Sequence, residues 1–148
     1  MLTLSAPCCH AVLPPGKFMS QGLVRLCPQG FWREFYVPFD AANGTTCTPC
    51  RPGITTDGAG SPQSSLCNKV VPGWGLAAVN NVTGAQDIPA LPTNITNGGL
   101  PQAYLCDFGY YSLNGYCAQC PSATMTRARG AKSIEECSES QARVDSAV

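Results

Sequence analysis

Charge is scarce in this sequence. Nine Lys and Arg balance nine Asp and Glu among 148 residues, and charged residues make up only 12% of the chain. That balance excludes the basic surface of a nucleic-acid binder. It also argues against simple disorder, which usually goes with high net charge. Large apolar side chains are few as well: Leu, Ile, Val and Phe total 29, just under a fifth of the residues, which is thin for a packed core. No apolar run approaches the ~18 residues that a membrane-spanning helix takes. Histidine occurs once, at His10, and the Gly-x-Ser-x-Gly, phosphate-loop and His-Glu-x-x-His patterns are missing, so the familiar hydrolytic and phosphoryl-transfer signatures have no residues to stand on. The acidic residues are scattered, unlike those of a calcium loop, and Asp57 and Asp107 read as turn formers. The expectation is a protein without catalytic residues, metal or other cofactor.

Cysteine, glycine and proline are plentiful, at 10, 15 and 13 residues. Such Gly and Pro content leaves little room for helix. The pattern Cys-x2-Cys-x16-Cys occurs twice, as Cys47, Cys50 and Cys67 and again as Cys117, Cys120 and Cys137. Ahead of each stands another cysteine followed by Gly and two aromatics: Cys27-Pro-Gln-Gly-Phe-Trp and Cys106-Asp-Phe-Gly-Tyr-Tyr. Two degenerate copies of one four-cysteine module account for this. With so thin a core, bridges that remove entropy from the unfolded chain are the obvious compensation. Glycine allows the positive-φ turn that folds the chain back on a bridge. Phe31, Trp32, Tyr110 and Tyr111 are expected to cover the sulfurs as a miniature core.

Paired cysteines and three Asn-x-Thr sequons, at Asn43, Asn81 and Asn94, favour the secretory route and a position outside the cell or on its surface. The sequons avoid the tight Cys-x16-Cys loops, which suits bulky glycans. Met1-Leu-Thr-Leu-Ser-Ala-Pro-Cys-Cys-His is not built as a signal peptide. The expectation is therefore a piece of a longer secreted protein. Cys9-His-Ala-Val-Leu-Pro-Pro-Gly-Lys-Phe parallels Cys67-Asn-Lys-Val-Val-Pro-Gly-Trp, so Cys9 is read as closing an earlier module. Cys8 and Cys9 are expected to pair upstream, an intermolecular bridge being the alternative.

The organisation follows. Residues 1–26 are the end of a preceding repeat and a connector, 27–67 are repeat one, 68–105 a glycosylated connector, 106–137 repeat two, and 138–148 a tail. Repeat one carries extra residues, roughly Arg33 to Thr45. There Glu34-Phe-Tyr-Val-Pro-Phe has strand character until Pro38 interrupts it, and Ala42-Asn-Gly is a hairpin turn. Short strands are expected around Leu76–Val79 and a turn at Leu113-Asn-Gly-Tyr. A short helix is predicted from Ser133, which with Glu136 fits a capping box. The fold class is small and disulfide-rich: irregular, with short β-hairpins, tandem cysteine-rich repeats and little helix.

Gly-Tyr-Tyr-Ser, Cys-Ala-Gln-Cys-Pro-Ser, Gly-Ala-Lys-Ser and the closing Cys of repeat two resemble the ephrin-receptor-like cysteine-rich repeat, a relative of the TNF-receptor modules. Repeat one is similar through Gly30-Phe-Trp, Cys47-Thr-Pro-Cys50-Arg-Pro-Gly-Ile-Thr-Thr, Gly58-Ala-Gly-Ser and Cys67. The exit after Cys67 is similar to versions in large surface glycoproteins of algae and protists. Repeat two departs at Asp107-Phe108 and lacks the Gly that follows Cys50 by three residues. The resemblance implies adjacent pairing, Cys27–Cys47 with Cys50–Cys67, and Cys106–Cys117 with Cys120–Cys137. Spacing alone leaves three connectivities open for each set of four.

The first functional reading is a structural or adhesive module of a secreted repeat glycoprotein, whose partners are neighbouring repeats or other subunits of a coat, matrix or filament. The second is a ligand-binding receptor ectodomain that uses the connector or the Arg33–Thr45 insertion, with aromatics such as Tyr36 at the contact. The third is an intracellular zinc module built on the Cys-x2-Cys pairs. Arg127, Arg129 and Lys132 form a small basic cluster that suits an acidic glycan but is better read as solvated loop charge.

Overall fold

The computed structural model describes residues 12–38, 46–80, 87–92, 95 and 98–140. It is a small disulfide-rich fold of short, mostly antiparallel strands, with three-residue 3-10 turns at Ser64–Leu66 and Ile134–Glu136 among the described residues. The chain divides into two compact units. The first comprises residues 1–50, 55–68 and 95–99, and the second 51–54, 69–94 and 100–148.

In the first unit, β1 (Val12–Leu13) pairs antiparallel with β5 (Val37–Pro38), which leads the Leu13 side chain to complete burial. A two-residue strand tolerates proline because it needs few ladder bonds. Next, β2 (Lys17–Ser20) and β3 (Leu23–Leu26) form a hairpin whose turn residues, Gln21 and Gly22, both have positive φ. After Cys27, β4 (Phe31–Trp32) pairs with β6 (Thr48–Pro49). Arg33 follows β4 with its side chain buried and its Nη1 donating to the Lys17 carbonyl at 2.5 Å. Desolvation there lowers the guanidinium pKa. The 3-10 turn Ser64–Leu66 brings the chain to Cys67.

Next in chain order come β7 (Ile54–Thr55) and β8 (Lys69–Val70), of which Ile54 and both residues of β8 belong to the second unit. Then β9 (Trp74–Gly75) pairs with β11 (Tyr104–Leu105). β10 (Ala78–Val79) runs parallel to β13 (Tyr116–Gln119), which is itself antiparallel to β12 (Tyr110–Leu113). The β12–β13 hairpin turns at Asn114 and Gly115, both at positive φ, as the Asn-Gly signal predicts. Residues 69–80 and 104–105 thus supply four strands to this unit, so much of the span read as connector is built into the sheet structure. Among the described residues of this unit, Tyr111, Ala118, Cys120 and Ala131 form a buried cluster, flanked by Val79, Leu113 and Cys137.

The helix predicted from Ser133 does not form. Ser133 is extended and makes no capping bond, Ile134–Glu136 is one 3-10 turn, and β15 (Glu139–Ser140) returns antiparallel to β14 (Thr124–Met125). The physical reason is the Cys120–Cys137 bridge, which ties this segment to the start of the β14 turn. A helix would carry residues 139–140 away from β14. Glu136 does reach back, but its carboxylate accepts the Lys132 N–H at 2.5 Å, one residue ahead of the expected cap.

Candidate functional site

The eight described cysteines form four bridges: Cys27–Cys47, Cys50–Cys67, Cys106–Cys117 and Cys120–Cys137, with Cα separations of 5.4–5.9 Å. The pairing is the adjacent one in both copies. It occupies all eight of these sulfurs, leaving none as a thiolate ligand. Among the described residues no group of three or more His, Cys, Asp or Glu is arranged to hold a metal ion. Cys8, Cys9 and His10, like Asn43, Asn81 and Asn94 and the Ala42-Asn-Gly turn, lie outside the described residues.

Around the bridges the two copies share one hydrogen-bond scheme. Gly30 and Gly109 adopt positive φ, and their carbonyls accept the N–H of Cys50 and Cys120, each at 2.8 Å. Their own N–H groups donate to Oγ1 of Thr56 at 3.0 Å and of Thr126 at 3.1 Å. The Cys27 and Cys106 carbonyls accept from Gly60 and Gly130, at 2.7 and 2.8 Å. Trp32 bridges to Ser61 as Tyr111 does to Ala131. Of the aromatics read as bridge covers, Tyr111 is buried, while Phe31, Trp32 and Tyr110 are half-buried.

Sequence reasoning passed over the two threonines. Each is buried, and each stands at the same spacing after Cys50 or Cys120. That repeated position was the available signal. The Pro-Gly pairs also take a place that sequence did not assign. Cys27 N–H donates to Gly16 O at 2.8 Å, and Cys106 N–H to Gly73 O at 2.9 Å. A Cβ on Gly73 would stand 2.6 Å from the Gly130 carbonyl oxygen, and one on Gly16 would meet that of Gly60. Each Pro-Gly therefore packs with the copy that follows it.

Arg127 and Arg129 are engaged within the fold. Arg127 pairs with Glu139. Arg129 pairs with Asp107 at 3.0 Å and lies 5.5 Å from the centre of the Phe108 ring. In the insertion, Phe35 and Tyr36 are 70% and 68% exposed. A groove of about 360 Å³ runs along Phe108–Tyr110 and Gln119–Met125. No helix among the described residues is long and apolar enough to cross a membrane.

Comparison with protein-family models, with curated proteins and with solved structures finds no match for this chain. The class that fold and site define is a small protein stapled by disulfides, of the kind that suits an oxidising, secreted setting.

Proposed function

We propose that this chain is a non-enzymatic structural or adhesive module of a secreted or cell-surface repeat glycoprotein, and that its two copies are ephrin-receptor-like cysteine-rich repeats. One observation carries the reading. Among the described residues, what the two copies share is the bridges and the hydrogen bonds that frame them. Stiff units of this kind act by holding partners at fixed spacing, as in a coat, matrix or filament built from neighbouring repeats, with N-linked glycans at Asn43, Asn81 and Asn94 keeping the surface soluble. Mass spectrometry of the non-reduced native protein tests it. The expected result is the four bridges with sugar on at least one of the three asparagines. Free thiols, bound zinc and bare asparagines overturn it in favour of an intracellular zinc module.

The exposed Phe35 and Tyr36 favour a second reading, a ligand-binding ectodomain using this insertion. Replacing both with Ala would then abolish ligand capture while leaving the bridges and the melting temperature unchanged. A change in assembly alone speaks for the first reading.

A further inference from the structure

The two copies keep one hydrogen-bond frame around their bridges, so a side chain that differs between them at a matched position is not required by that frame. Gly30 matches Gly109 and Thr56 matches Thr126. This sets Gln29 against Phe108, Thr55 against Met125 and Asp57 against Arg127. In the first copy the Gln29 side chain folds onto the turn, and its Nε2 donates to the Thr56 carbonyl at 3.0 Å. Phe108 has no amide to give the Thr126 carbonyl, and it stands 46% exposed. The exchange gives up a hydrogen bond and leaves an aromatic ring in water, which lowers the stability of the isolated fold. Something that covers the ring accounts for it.

Phe108, Met125, Thr126, Arg127 and Glu139 line an open cleft of about 460 Å³ in the second unit. That volume lies within the ~300–1,000 Å³ of small-molecule sites. The ring is held in place before anything binds. Asp107 Oδ1 accepts the Phe108 N–H at 2.8 Å and Arg129 Nε at 3.0 Å, and the Arg129 guanidinium lies 5.5 Å from the ring centre. A ring fixed in this way loses little freedom on binding. Arg127 Nε donates to Glu139 Oε1 at 3.0 Å, and Arg127 Nη2 reaches the same oxygen. The Arg127 side chain is 82% exposed, so guanidinium N–H groups face solvent beside the cleft.

The charges in the lining cancel, Arg127 against Glu139, so an ionised ligand gains little there. What the cleft offers is an apolar face from Phe108 and Met125 next to a hydrogen-bond donor and a carboxylate acceptor. A pyranose ring matches both. Its C–H groups pack on an aromatic face, and each hydroxyl both donates and accepts. We propose that this cleft binds a neutral pyranose of a glycan. The sugar lies against Phe108 and Met125, its hydroxyls bond to the Arg127–Glu139 pair, and one of them donates to the Thr126 carbonyl in the place of the glutamine amide. This deepens the adhesive reading above and rests on it: repeat two carries the sugar contact, and repeat one, with Gln29, Thr55 and Asp57, lacks it.

The test is an NMR titration of the disulfide-bonded chain with methyl-labelled methionine. The probes are neutral oligosaccharides ending in mannose, galactose, glucose or N-acetylglucosamine, with one ending in glucuronate as the charged control. At least one neutral sugar is expected to move the Met125 methyl signal to saturation while Met19 stays still. Phe108→Gln, which installs the residue of the first copy, should bind at least about tenfold more weakly with its bridge map and melting temperature unchanged. Phe108→Tyr keeps a ring and should keep binding. A Met125 signal that no neutral sugar moves, full binding by Phe108→Gln, or tighter binding of the glucuronate probe than of every neutral one overturns the proposal. Self-association of the glycosylated chain that is lost on enzymatic removal of its glycans identifies the sugar as one carried by another copy. A chain that binds sugar but stays monomeric takes it from a separate glycan, and the cleft is assigned in either case. If the four bridges and sugar on the asparagines are found while Met125 stays silent, the cleft fails and the module reading stands. Free thiols with bound zinc remove both.

Discussion

The Gly109 N–H donates to Oγ1 of Thr126 at 3.1 Å inside the second unit. The bond fastens the turn that precedes the aromatic strand to the turn that follows Cys120. Thr56 does the same for Gly30, and in addition donates its hydroxyl to the Gly58 carbonyl at 2.6 Å. Replacing either threonine by valine keeps the shape and removes the acceptor. A buried N–H left without a partner costs about 1–3 kcal/mol. Thr126→Val and Thr56→Val are therefore expected to lower the unfolding free energy by that amount, read from a lower denaturant midpoint at unchanged slope, with Thr→Ser recovering most of it. An unchanged midpoint would remove the turn-fastening role.

The Cys50–Cys67 and Cys120–Cys137 bridges each span 17 residues. Loop-closure entropy for such a span is worth about 3 kcal/mol. A loss of that size is a large share of the ~5–15 kcal/mol by which folded domains are stable. The Cys120→Ser, Cys137→Ser double variant should lose the β14–β15 pairing, seen as lost amide protection over residues 124–140. Protection equal to the wild type would show that the bridge is dispensable.

Ala123 holds a left-handed backbone conformation at φ +65°, in the position that Gly53 fills in the other copy. A Cβ in that region costs about 1–2 kcal/mol. Ala123→Gly should raise stability by about 1 kcal/mol once the extra freedom that glycine gives the unfolded chain is counted. Calorimetry decides the sign, and a lower melting temperature would contradict this account.

Arg33 is buried and donates to the Lys17 carbonyl. Arg33→Met fills much of the volume but leaves that carbonyl without its charged donor, at a cost of about 2–3 kcal/mol. Chemical denaturation measures it, and neutrality would mean that packing alone holds this segment.

The Ser133 hydroxyl, followed by the backbone N–H of Glu135 itself, holds the Glu135 carboxyl below the usual carboxylate range. A carboxyl whose folded pKa is depressed contributes stability above its unfolded value and loses it as pH falls through the folded one. The contribution should therefore be intact at neutral pH and disappear in acid. Ser133→Ala should bring the carboxyl back toward its ordinary range in an NMR titration. No movement in that variant would assign the shift elsewhere.

Some of this was legible in the residues. The repeated Cys-x2-Cys-x16-Cys spacing marked both copies, and the adjacent pairing implied by the family resemblance is the one that forms. Asn114-Gly115 announced its hairpin because few residues accept two successive positive φ angles. The span 68–105 was not legible in the same way. Its strands are two residues long, below the length at which alternation shows, and their partners come from distant positions such as Cys117 and Ala118. The helix at Ser133 misled for the opposite reason. Its capping pattern is real, since Glu136 does bond backward, but the bridge from Cys137 outweighs the local preference.

The sequence by itself determined where the chain is stapled and where it must turn, because cysteines, glycines and Asn-Gly act through covalent chemistry and backbone sterics that need no context. Only the tertiary structure decided which copy each Pro-Gly serves and which threonines fasten the turns. Those outcomes depend on which backbone edge meets which carbonyl, and that is fixed when segments far apart in the chain come together.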